Sequence, residues 1–372
     1  MNIKNLLRSY KKRTLFTTPS HNQGEFIIPD LKKYLGEKFF KNDFSEIDGF
    51  DNLKNPEGAI LESLKNTSKI YEVEHSLYLT NGSTQGILTL LLSCLKYDDI
   101  ILAAKNCHRS VFDGVSLAQA RVVTLEPDFN FEWGIYNPIK AEQVEKAIRE
   151  NPKAKGLILP CPYYEGVISS IEKIAEVCHS YGKFLIVDEA HGALWNFDRT
   201  IFSPSVFLGA DAVVQSLHKT CGAPNQCSIL HLPQKSLINY EDVLETYNKL
   251  TTSSPSYPLL LAIEQTIEFL NSKKGKKVIY ELVENIEELK KNCQKYPSIK
   301  FYEGNNFDLT KILVKIDGIS GHDLSKRISE KYKIEDELCN DVSVLYLTGV
   351  GTTKSKLKKL EKALIKVADE IV

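Results

Sequence analysis

The sequence predicts an α/β protein in which a mostly parallel sheet is covered by helices and is followed by a smaller α+β unit. Three observations carry this. Short, continuous apolar runs recur between residues 75 and 232, the pattern of strands buried on both faces. Helix-like segments separate these runs, as the crossover between parallel neighbours requires. At 372 residues the chain exceeds one minimal core, so a large unit with a smaller companion is expected.

The elements follow in order. Residues 1–60 read as irregular, with turn signals at Thr18-Pro19-Ser20, Asp48-Gly49 and Asn55-Pro56-Glu57-Gly58. HSLYLTN is then a strand, QGILTLLLSCL a buried helix, DDIILAA a strand, SVFDGVSLAQA a helix and RVVTLEP a strand. The helix AEQVEKAIRE, the strand KGLILP, the helix SSIEKIAEVCHSYG and the strand KFLIVDEA continue the alternation, which ADAVVQSLHK and CSILHLP close. From about Pro258 the text turns helical, with LLLAIEQTIEFL and KKVIYELVENIEELKKNCQKY. TKILVKI, HDLSKRISEKY, VSVLYLT and SKLKKLEKALIKVADEIV then give a small αβ layer. The expected organisation is an N-terminal segment (1–60), a large unit (61–262) and a small C-terminal unit (263–372).

Composition narrows the function. The net charge is −1 and the lysines are interspersed with acids, which argues against nucleic acid or an anionic membrane as partner. No apolar run reaches the ~18 residues of a membrane span, and the N-terminus lacks a signal-peptide core. None of the eight cysteines forms a C-x-x-C pair, so neither a zinc site nor a disulfide framework is expected. Buried free thiols in a cytoplasmic protein without metal is the reading.

Four segments carry chemistry. In FLIVDEAHG, Asp188 ends an apolar strand, where α/β sheets place ligands; it could bind a metal, act as a base or pair with a protonated ring nitrogen. In QSLHKT, Lys219 follows the apolar run ADAVV, and a desolvated lysine can form a Schiff base. Thr80–Gly86, TNGSTQG, offers small residues and hydroxyls at a helix N-terminus, which suits a phosphate, although a plain N-cap gives the same letters. In NCHRS, His108 follows a strand and faces a ligand or the surface. Together they supply a phosphate cup, a flat ring, a carboxylate and an amine, the set that pyridoxal 5′-phosphate (PLP) needs. A metal site on Asp188, His191 and His218 lacks the helical i, i+4 ligand pair.

On these segments the sequence resembles the Orn/Lys/Arg decarboxylases of PLP fold type I, over most of its length. Pro19-Ser20-His21-Asn22-Gln23-Gly24 is similar to the family's P-G-H-x-x-G. Asp51-Asn52-Leu53-Lys54-Asn55-Pro56-Glu57-Gly58 is similar to its D-[DN]-L-H-x-P-x-G, and Thr252-Ser253-Ser254-Pro255-Ser256-Tyr257 to its T-[TS]-S-P-S-Y. The cup, N-C-H-[KR]-S, V-D-E-A-H-G and the S-x-H-K box also match. Lys54 replaces a histidine, Ser20 replaces a glycine, and Pro162-Tyr163-Tyr164-Glu165-Gly166 is one residue longer than the common P-T-Y-x-G.

The resemblance implies that Lys219 forms the Schiff base, Asp188 pairs with the pyridine nitrogen and His108 stacks on the ring. It implies that Ser83, Thr84, Ser216 and His218 hold the phosphate, and that His191 lies close to the ring or substrate. It further implies a homodimer whose N-terminal segment helps build the site, with Ser254 and Ser256 reaching the neighbouring subunit's site. It implies a short form without the C-terminal domain of longer members. The expected activity is decarboxylation of arginine, lysine or ornithine to a polyamine-type amine, with Lys219 or His218 returning a proton to Cα. Glu46, Asp48, Asp51 and Glu165 are the candidate partners of a cationic substrate. An aminotransferase would use the same cofactor groups. Many of these hold the α-carboxylate with an arginine of the small domain, whereas the last third of this chain contains only Arg327, inside a helix pattern. A decarboxylase of a non-basic amino acid and a non-catalytic binding protein of the same fold are the remaining alternatives.

Overall fold

The computed structural model describes residues 1–10, 14–47, 49–304 and 306–371. It contains strands β1 (His75–Leu79), β2 (Ile100–Ala104), β3 (Arg121–Leu125), β4 (Phe129–Asn130), β5 (Ile135–Tyr136), β6 (Ala154–Pro160), β7 (Phe184–Asp188), β8 (Ala212–Ser216) and β9 (Ser228–Leu232). Four more follow: β10 (Ile299–Phe301), β11 (Lys311–Ile316), β12 (Leu338–Cys339) and β13 (Val344–Leu347).

Seven strands form the central sheet in the order β1-β9-β8-β7-β6-β2-β3. β3, β2, β6, β7 and β8 run parallel, and β9 is antiparallel to both β8 and β1. β7, β8 and β9 are buried along their whole length, which is why they read as unbroken apolar runs rather than as alternation. After β2 the chain moves outward to β3, and β6 then lies on the other side of β2. That reversal opens a crevice at the carboxyl ends of the strands. Register brings those ends level: Pro160 pairs with Asp188, and Asp188 with Val214.

The helix Gly82–Cys94 lies close against the sheet. A Cβ on Gly86 would come within 2.7 Å of Leu79 and 2.9 Å of Val214, so only glycine permits this approach. The second sheet is antiparallel, in the order β10-β11-β13-β12. Ile312, Val314 and Ile316 on one face of β11 join the main apolar core, whereas Leu313 joins a smaller cluster with Trp133, Tyr163 and Phe307.

Two details differ from the sequence reading. Residues 1–60 contain helices, Ile3–Ser9, Pro29–Leu35 and Glu37–Lys41. The first is docked by buried Glu264, whose carboxylate accepts from Ile3 N (2.9 Å) and Lys4 N (3.0 Å). Residues 262–263 fall inside the helix Tyr257–Asn271, so the change of pattern is carried by continuous helix. Among the described residues, no helix is long and apolar enough to cross a membrane.

Candidate active site

A cavity of about 400 Å³ lies at the carboxyl ends of the parallel strands, within the usual range for small-molecule sites. Ser83, Thr84, His108, Asp188, His191, Ser216, His218 and Lys219 all line it.

One end is a cup. The Gly82–Cys94 helix starts three residues after β1, and Gly82 adopts a φ of +73° with open space where a Cβ would stand. Gly82 N donates to Gln226 O at 2.9 Å. The Ser83 hydroxyl lies 2.6 Å from that of Ser216, at the end of β8, and 3.3 Å from that of Ser228, at the start of β9. Gln85 fixes the turn, accepting from Asn81 N and donating to Thr251. First-turn N–H groups have no intrahelical acceptor, so the cup pairs such donors with two adjacent hydroxyls.

The other end holds the charges. Asp188 is 8% exposed and accepts from Ala190 N at 3.1 Å. Burial pushes its pKa up, while Lys219, the Ala190 N–H and His108 pull it down. Lys219 sits in the single helical turn Leu217–Thr220 after β8. Its Nζ lies 2.9 Å from His191 Nε2 and 6.0 Å from the centre of the Tyr164 ring. Burial lowers the Lys219 pKa, opposed by the carboxylates of Asp188 and Glu337.

The three histidines are held differently. His191 is buried, and burial, then Lys311, then Lys219 hold its pKa well below the ordinary value. His108 caps the helix Arg109–Leu117, its Nδ1 accepting from Ser110 N, which leaves Nε2 as the ring's donor. His218 Nδ1 donates to Cys227 O at 3.1 Å, and burial lowers its pKa.

Among the described residues, Glu46, Asp51, Glu165, Ser254 and Ser256 do not line this cavity. Asp51, expected as a partner for a cation, is engaged within its own segment. Its carboxylate accepts from five main-chain N–H groups, those of Asn52, Glu57, Gly58, Ile60 and Leu61, and holds its own loop and the start of the helix Ala59–Tyr71. Glu46 is exposed and accepts from Asn52, Glu165 is half-buried outside the lining, and Asp48 lies outside the described residues. Ser254 is exposed, and Ser256 precedes the helix Tyr257–Asn271. Three residues near the site were missed: Tyr164, whose hydroxyl donates to the Glu337 carboxylate, Glu337 itself, and Lys311. Only Tyr164 carried a signal, inside the altered P-Y-Y-E-G motif.

A family model of the Orn/Lys/Arg decarboxylase major domain matches residues 4–314. The chain belongs to this family. It is 31% identical to the uncharacterized protein YaaO of Bacillus subtilis, over 95% of this chain and 74% of that protein. It is 30% identical to an arginine decarboxylase of Bacillus anthracis, over 94% of this chain and 72% of that protein. Among solved structures, the lysine decarboxylase LdcF of Francisella novicida matches with a TM-score of 0.88 and 20% identity, a likeness of fold. That match covers 99% of this chain but only 59% of the other. Within this decarboxylase family the cavity stands where an α/β sheet is expected to hold its ligand.

Proposed function

We propose that this chain is a PLP-dependent decarboxylase of a basic amino acid, with arginine the first substrate to test. The observation that carries this reading is the convergence of Lys219, Asp188, His108 and the hydroxyls of Ser83 and Ser216 on one cavity. The residues present fit the cofactor. His191 Nδ1 and Asn106 Oδ1 are buried without a partner among the described residues, on two side chains that line this cavity, and a polar ligand would satisfy them.

Ser83, Thr84, Ser216 and His218 would hold the phosphate, His108 the ring face, Asp188 the ring nitrogen and Lys219 the aldehyde. When bound, the cofactor supplies the electron sink for the bond broken at Cα. Lys219 is biased by burial toward the free amine, the form that attacks an aldehyde. Burial raises the Asp188 pKa and cationic neighbours lower it, so a protonated ring nitrogen and the carboxylate would stabilise each other. Lys219 returns a proton to Cα after carbon dioxide leaves, and His191 Nε2, at 2.9 Å, is placed to exchange it.

Arginine is favoured by relatives named arginine decarboxylase. Glu337, held by Tyr164 and close enough to influence Lys219, suits a cationic side chain. We assign residues 61–262 to the cofactor-binding unit and 263–372 to a small C-terminal domain. The proposed assembly is a cytoplasmic homodimer. All eight cysteines are free, as a reducing compartment requires, and a neighbouring subunit gives Ser254 and Ser256 a site to reach.

The test is the absorbance of the purified protein with PLP, followed by carbon dioxide release from arginine, lysine and ornithine. A near-visible band that is absent in Lys219→Ala, with release from one of the three, supports the reading. A band without release sinks the decarboxylase assignment, and amino transfer to a keto acid is then measured. No band at all sinks the cofactor reading.

A further inference from the structure

Glu189 follows the last residue of β7 and is 0% exposed. Its sequence neighbours Asp188 and Ala190 line the cavity, but Glu189 does not. Its main chain joins the strand to the turn beyond: Glu189 N donates to Val214 O, and Glu189 O accepts from Gly192 N, each at 2.9 Å. Its side chain reaches further. One carboxyl oxygen meets Ser205 N at 2.7 Å, and the other meets the Gln215 side-chain amide at 2.5 Å. Gln215 directly precedes Ser216 of the cup, and alternation along β8 sends these two side chains to opposite faces of the sheet. The Glu189 carboxyl therefore stands behind the cavity wall. It ties together the turn that carries His191, the segment Ser205–Phe207 and the end of β8 that leads to Lys219. The turn wraps it closely: a Cβ on Gly192 would come within 2.7 Å of Glu189 Cγ.

The groups around this carboxyl do not suit an anion. Two oxygens beside it, Ser205 Oγ and Gln215 Oε1, are buried and have no partner among the described residues. The charged and titratable groups facing it are Asp308, Cys161 and Tyr71, none of which supplies a positive charge. A buried carboxylate without a cation is costly, and two N–H donors offset only part of that cost. A proton on the carboxyl removes the charge and provides a donor for one of the orphaned oxygens. In keeping with this, burial pushes the Glu189 pKa up to about 7, against the pull of the bonds from Ser205 and Gln215.

We propose that Glu189 is a positioning residue of the candidate site, a neutral, proton-bearing carboxyl that clamps the turn carrying His191 to the end of the strand carrying Ser216. The acid's carbonyl oxygen accepts a main-chain or side-chain N–H, and its hydroxyl donates to an oxygen that otherwise has no partner. Loss of the proton turns a matched set of bonds into a buried charge and loosens the wall from behind. That the wall holds a cofactor rests on the proposed function; the clamp itself does not.

The experiment compares wild type, Glu189→Gln and Glu189→Ala. Glutamine has the shape of the neutral acid and, like it, one donor end and one acceptor end. The folded wild-type chain keeps a proton that the unfolded chain releases above pH 4.5, so this stabilisation is full below that value and is lost as pH rises to about 7. In urea unfolding of the cofactor-free proteins, the folding equilibrium of wild type should therefore fall relative to that of Glu189→Gln by on the order of 100-fold between these values, and no further above them. A pH-independent difference overturns the neutral carboxyl, as does a Glu189→Gln chain that fails to fold. The positioning role is read from the His191 ring resonances at about pH 6, assigned by their loss in His191→Phe. They should keep their wild-type positions in Glu189→Gln and move in Glu189→Ala. Should Glu189→Ala not fold, the same resonances should move in wild type as pH rises through about 7 and stay in place in Glu189→Gln. Resonances that ignore both changes overturn the clamp. Titrated with PLP, Glu189→Gln should form the near-visible band as wild type does, and Glu189→Ala should need about tenfold more PLP. If the stability and resonance changes appear but no protein forms a band, the proposed function fails and the clamp stands.

Discussion

Histidine 231 gives the chain an acid sensitivity that can be calculated. It lies in β9, 0% exposed, with its ring 4.1 Å from that of Tyr71 and its Nδ1 3.0 Å from Ser76 Oγ across the strand pair. Its Nε2 has no partner among the described residues. Burial alone lowers its pKa from 6.5 to about 3. The folded state therefore resists a proton that the unfolded state accepts below pH 6.5. Stability is fully present above that value and is lost as pH falls from 6.5 toward about 3. At pH 5 the loss is RT ln(1 + 10^1.5), about 2 kcal/mol, and it hardly depends on the folded value as long as that stays below about 4. The assay is urea unfolding of the cofactor-free chain at about pH 7.5 and about pH 5, for wild type and His231→Phe. Replacing the imidazole shifts the baseline stability, so the reading is the change between the two pH values. Wild type should lose about 2 kcal/mol more than the variant over that interval. Equal losses would refute the argument that the ring is buried neutral.

Asp188→Asn, which removes the anion but keeps the shape, should lower kcat by about 100-fold or more while leaving the unfolding free energy within about 0.5 kcal/mol of wild type; steady-state rates and urea unfolding curves check this. Asp51→Ala leaves five main-chain N–H groups without their acceptor and should cost about 3 kcal/mol of stability, read by thermal unfolding. The same variant should keep the near-visible band of the lysine-bound cofactor wherever it folds, because Asp51 lies outside the cavity lining. Gly86→Ala drives a methyl against Leu79 and Val214 and should cost about 1–3 kcal/mol. It also lifts the helix that carries Ser83, so PLP titrated into the protein should bind more weakly.

The parallel strands were legible because each is a short apolar run bounded by a helix pattern, and Asp188 was placed by ending one of them. The cup at Ser83 was legible for the same reason, as small polar residues between a strand and an apolar helix. The direction of β9 was not, since nothing in CSILHLP distinguishes a parallel from an antiparallel neighbour. The helices of the first 60 residues were obscured by polar composition, and Ile3–Ser9 depends on an acceptor, Glu264, about 260 positions away. The engagement of Asp51 was not legible, because five N–H donors converge on it through loop geometry that no spacing encodes. Nothing in TKILVKI sets Lys311 apart, and its burial beneath the turn at Gly166 shows that its stem runs inward.

The antiparallel β9 also bears on how the molecule is made. Among the described residues, β1 has no sheet neighbour except β9, and Ser83 meets Ser228 across 145 positions of chain. During synthesis the N-terminal edge of the sheet must wait for residues 228–232 before it can be zipped on, and such long-range pairing is slow to form. The cup at Gly82 and Ser83 is therefore among the first pieces of the site to be translated and among the last to be closed. A nascent chain arrested before Ser228 would carry Lys219 and Asp188 yet lack the wall that completes the cup. The proposed cofactor would then stabilise only chains that have already finished the large sheet.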